Sequence, residues 1–129
     1  MNPDLKLRLK PLNKLTTPET KFLDFLCFNL GQEALLGCPG DETVSISFRP
    51  IEEDEDDSAY VIKKNSNYQV VIDNRMPFGM CVDFILHELA HCHSWHHNEE
   101  NDHGPEWGKS FALLYTYYLE LYEAFWNGT

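Results

Sequence analysis

The chain has 129 residues, 43% apolar and 13% aromatic, enough for one compact domain whose core needs no disulfide staples. With 21 acidic side chains against 10 basic ones, the formal net charge is -11, which repels phosphate backbones and argues against direct binding of DNA. No apolar run approaches the ~20 residues that span a bilayer, and Met1-Asn2-Pro3-Asp4 lacks the basic-then-apolar shape of a signal peptide, so a cytoplasmic protein is expected.

From the N-terminus, Leu5, Leu7 and Leu9 alternate with Lys6, Arg8 and Lys10, a period-two pattern that predicts a strand ended by Pro11. Thr17 followed by Pro18 reads as an N-cap and first helical position. The helix they open carries the apolar stripe Phe22, Phe25, Leu26 and Leu30, and it ends at Gly31 or runs on towards Gly37. Cys38-Pro39-Gly40-Asp41 predicts a turn, and Val44, Ile46 and Phe48 line one face of a second strand. Residues 52–58 are too densely acidic to join a core and predict a mobile, solvated loop. Two further strands, 59–63 and 68–72, are joined through Asn65-Ser66-Asn67 as a hairpin, completing a small, mostly antiparallel sheet. Cys27, Cys38, Cys81 and Cys92 show no CxxC spacing, so free thiols in a reducing compartment are expected rather than a closed zinc site.

The chemistry-bearing stretch is His87-Glu88-Leu89-Ala90-His91, an HExxH sequence. Residues four apart share a helix face, so both imidazoles can reach one metal ion with Glu88 beside them as a base. Taking about 100° per residue, Phe78, Cys81, Val82, Ile85, Leu89 and Cys92 cluster opposite His87, while His91 and Asp83 fall about 40° to either side of it. The histidines therefore sit across from a continuous core face. Asp83 is either an acceptor that holds a ligand imidazole or a plain exposed aspartate.

A catalytic zinc takes three protein ligands, and His93, His96, His97, His103 and Glu106 are the candidates for the third. His97 stands where HExxHxxGxxH places its last histidine, but Ser94 replaces the glycine and no methionine follows the motif. His103 is favoured, with His97 and Glu106 as alternatives. It follows the polar stretch 98–102 and directly precedes Gly104-Pro105, where a second helix opens, so a chain reversal would bring it over the first helix. That second helix bears Trp107, Phe111, Leu114, Tyr118, Leu121 and Phe125 as a packing stripe and is expected to reach Trp126. Tyr115, Tyr117 and Tyr122 lie off the stripe, free for one of them to reach a cleft.

HExxH followed by His103-Gly104-Pro105-Glu106-Trp107 resembles the SprT-like family of zinc metallopeptidases, over roughly residues 68–125. The resemblance implies Zn2+ held by His87, His91 and His103, Glu88 as general base, and a small gluzincin-like (zincin) metalloprotease fold with a sheet strand bordering the substrate cleft. In the eukaryotic branch of that family, such domains digest proteins crosslinked to DNA with the help of further DNA-binding segments. The expectation is thus a single α+β domain over residues 1–129: N-terminal helix, small sheet, HExxH helix and C-terminal packing helix. Its function would be zinc-dependent endopeptidase acting on a protein or peptide substrate, Glu88 taking a proton from the attacking water and returning it to the leaving amine. The alternative is a non-catalytic zinc-binding regulatory or interaction protein, against which Glu88 speaks, since a structural site needs no carboxylate beside its ligands.

Overall fold

A computed structural model describes residues 5–38, 40–52, 58–97 and 103–127. The acidic segment 53–57 and the polar stretch 98–102 lie outside the described residues, and with them most of the loop expected at 52–58. The described residues form a small α+β domain of four helices and a three-stranded sheet. In chain order these are α1 (Leu5–Leu9), α2 (Thr17–Leu35), β1 (Thr43–Arg49), β2 (Ala59–Lys64), β3 (Asn67–Asp73), α3 (Phe78–His93) and α4 (Pro105–Trp126). Among them, no helix is long and apolar enough to cross a membrane.

The expected first strand is instead the short helix α1. Only Leu7 of the alternating pair Leu7 and Leu9 is buried, Leu9 being 66% exposed. Docking decides the matter: Arg8 reaches the Gly79 carbonyl and the Asp83 carboxylate on α3, and a Cβ on Gly79 would lie 2.9 Å from the Arg8 side chain. The chain then supplies what α3 lacks at its start. Pro77 offers no side-chain cap, and the Phe78 N–H donates to the Lys10 carbonyl at 2.7 Å.

Helix α2 begins one residue earlier than expected, because Thr16, not Thr17, is the N-cap. Its hydroxyl accepts the Glu19 N–H while the Glu19 carboxylate accepts the Thr16 N–H, a complete capping box. The helix passes through Gly31, where a Cβ would stand 3.0 Å from Val44, so this glycine serves close approach to β1 rather than termination.

The sheet order is β1-β3-β2, with β1 parallel and β2 antiparallel to β3. It is therefore mixed, not mostly antiparallel. The β2–β3 hairpin forms as expected, with Asn65 at φ 55 in its tight turn. Along β1, Val44, Ile46 and Phe48 pack on the core while Thr43, Ser45, Ser47 and Arg49 are exposed. Helix α2 lies against β1, and α3 lies against β2 and β3; α4 closes over α2 and α3. Phe22 sits at the centre of that helix layer, its ring 5.1 Å from Phe125 and Trp126, 5.5 Å from Tyr122 and 6.0 Å from Phe78. Tyr122, expected off the packing stripe, is buried there.

Candidate metal centre

The site is built on α3, whose apolar face is buried as its periodicity predicts. Phe78, Cys81, Val82, Ile85, Leu89 and Cys92 all have 1% exposure or less. With that face anchored, His87 and His91 project one turn apart on the other side, both half-buried, their ring centroids 5.0 Å apart. His103, just before α4, completes a triangle, with centroids 4.9 Å from each. The three imidazoles offer nitrogens that all lie within 4.8 Å of one another, and His87 Nε2 is 3.1 Å from His103 Nε2.

This arrangement fits a small divalent cation. Two ligands about 2.0–2.1 Å from a tetrahedral ion stand roughly 3.3 Å apart, close to the observed nitrogen spacing. Neutral imidazoles suit zinc and its neighbours in the transition series better than the oxygen-seeking alkaline earths. Glu88, on the edge of the polar face by periodicity, is buried to 6% exposure.

Trp107 supplies the wall of the site. Its indole N–H donates to the His87 carbonyl at 3.2 Å, and its ring lies 5.0, 5.8 and 4.8 Å from the rings of His87, His91 and His103. The sequence assigned Trp107 to the packing stripe alone. The signal that it also belongs to the site is its position on the first turn of α4, one turn beyond His103.

The remaining candidates for third ligand are engaged elsewhere. His93 Nδ1 lies 2.7 Å from the Ser110 hydroxyl, tying α3 to α4, and burial pushes its pKa down, favouring the neutral ring. His97 faces Glu106 at 3.8 Å, and Glu106 also pairs with Lys109. His96 turns towards Glu42 and Tyr68. Asp83 is 57% exposed and paired with Arg8, so it is held by α1 rather than aimed at an imidazole.

The described cysteines are all free. Burial pushes the Cys27 thiol up to about 12 and the Cys81 thiol up to about 11, so both stay protonated and inert at neutral pH. No known family, curated protein or solved structure matches this chain.

Proposed function

We propose that the protein is a zinc-dependent endopeptidase of SprT-like type with a zincin-like fold, acting on a protein or peptide substrate. The observation that carries this reading is the convergence of His103, from the head of α4, on the HExxH pair of α3, with Glu88 buried beside them. His87, His91 and His103 would hold the zinc, which when bound polarises a peptide carbonyl and acidifies water towards a pKa of ~7.

The chain's own residues do the rest. Glu88, excluded from bulk solvent, accepts a proton from the attacking water and delivers it to the leaving amine. Trp107 holds the carbonyl end of His87 and fills the space behind the three rings, limiting their rotation. A net charge of -11 disfavours direct contact with nucleic acid. Four cysteines without a disulfide suit a reducing, cytoplasmic setting.

The test is a set of point variants assayed for bound zinc and for cleavage of an unfolded protein substrate. Replacing His87, His91 or His103 by Ala abolishes stoichiometric zinc at this site. Glu88→Gln keeps the zinc and lowers turnover by about 100-fold or more. Full zinc affinity in His103→Ala together with its loss in His97→Ala would overturn the ligand assignment. If wild type and Glu88→Gln both bind zinc and are equally silent, the site belongs to a non-catalytic regulatory or interaction protein.

A further inference from the structure

A second group of potential ligands lies outside the histidine triangle. Cys38, in the turn after α2, Glu42, just before β1, and His96, in the 3-10 turn Trp95–His97 after α3, present a thiol, a carboxylate and an imidazole within 4.8 Å of one another. No spacing pattern links them, since Cys38 and His96 are far apart in the chain. Their meeting is a product of the fold.

The cluster has an internal order. Glu42 Oε2 is taken by the Lys63 ammonium at 2.5 Å, while Oε1 accepts the Tyr68 hydroxyl at 2.8 Å and lies 3.0 Å from His96 Nε2. Tyr68 OH also lies 3.2 Å from His96 Nε2 and 3.6 Å from Cys38 Sγ, touching all three groups. Cys38 Sγ has the Cys92 carbonyl at 3.3 Å and the Ala34 carbonyl at 3.8 Å. The Lys63 ammonium offsets the Glu42 charge, and a cation bound at Cys38 would displace the thiol proton to solvent.

We propose that Cys38, Glu42 and His96 form a second cation site, one that takes a zinc-class divalent ion through a thiolate, a carboxylate and an imidazole. A mixed sulfur, oxygen and nitrogen set is the chemistry such borderline ions favour. The 3.0 Å between Glu42 Oε1 and His96 Nε2 is near the roughly 3.3 Å expected of two ligands on one tetrahedral ion. Lys63 balances charge from Oε2, leaving Oε1 to the Tyr68 hydroxyl and His96, and Tyr68 acts as a positioning residue. An ion here would fasten the segment leaving α3 to the entrance of β1, fixing where the chain sets out towards His103. The proposal stands independently of the histidine triangle, which contains no sulfur.

Cobalt(II) separates the two sites, because only a thiolate ligand gives a sulfur-to-cobalt charge-transfer band in the near ultraviolet. Chelator-stripped full-length protein titrated with cobalt chloride should show that band in the wild type and in His91→Ala. Cys38→Ser should lose it, with one fewer equivalent of metal bound and an unchanged circular dichroism spectrum. Glu42→Gln, which keeps the shape of the side chain, should weaken the band at a given cobalt concentration. A wild type that binds cobalt with no thiolate band, or a band that survives Cys38→Ser, would overturn the second site whatever the histidine triangle does.

Discussion

Asp73 shows how one side chain can link the strands to the loop that leads to α3. At the end of β3 its carboxylate accepts the Arg75 N–H at 2.9 Å, two guanidinium contacts at 3.0 and 2.6 Å, and the Ile51 N–H at 3.4 Å. Arg75 in turn donates to the Ile51 carbonyl at 2.7 Å. The hydrogen bonds from Arg75 hold the Asp73 carboxyl well below the usual carboxylate range, overcoming the opposing effect of burial. A depressed folded-state pKa means that the stabilisation is fully present above the unfolded value of about 3.9 and is lost as pH falls through the folded value. Urea midpoints measured from about pH 6 down to about pH 3 should therefore fall less steeply in Asp73→Asn than in the wild type. Equal slopes would show that this carboxylate carries no such linkage.

Among the elements, α3 was the most legible, because sixteen residues of consistent periodicity leave one way to bury the apolar face and so one direction for His87 and His91. The place of His103 at the head of α4 was legible through Gly104-Pro105, which mark where that helix starts. Less was readable where partners are distant. Strand β1 pairs parallel with β3, a choice that no local pattern in Val44, Ile46 and Phe48 encodes. The alternation at α1 covers too few residues to outweigh docking of Arg8 on Gly79. The cap of α2 was readable and misplaced: Thr16-Thr17-Pro18-Glu19 holds two threonines, and only Thr16 has the glutamate three residues on that a capping box requires. Thr16→Ala should accordingly destabilise the protein by about 1 kcal/mol in chemical denaturation, whereas Thr17→Ala should stay within about 0.5 kcal/mol of wild type. The reverse order would return the cap to Thr17.

At the scale of the whole molecule, the histidine triangle bridges two helices that otherwise meet through packing and a few side-chain contacts, such as His93 with Ser110. His87 and His91 belong to α3, while His103 stands at the head of α4, so an ion held by all three closes the long connection between them. Such an ion would bind the folded chain and find no preformed site in the unfolded one, which would make its affinity a contribution to stability. With free zinc at about a hundredfold its Kd the gain is about 2.7 kcal/mol, and for a domain of this size that raises Tm by roughly 10 °C. The net charge of -11 adds a long-range attraction for cations that salt screens, so the shift at subsaturating zinc should shrink as ionic strength rises. Thermal melts in zinc and in excess chelator should show the difference in wild type and in Glu88→Gln alike. His91→Ala should lose the part that belongs to the triangle, and Cys38→Ser should keep that part. A wild-type Tm indifferent to zinc and chelator would mean that the three imidazoles meet without holding an ion.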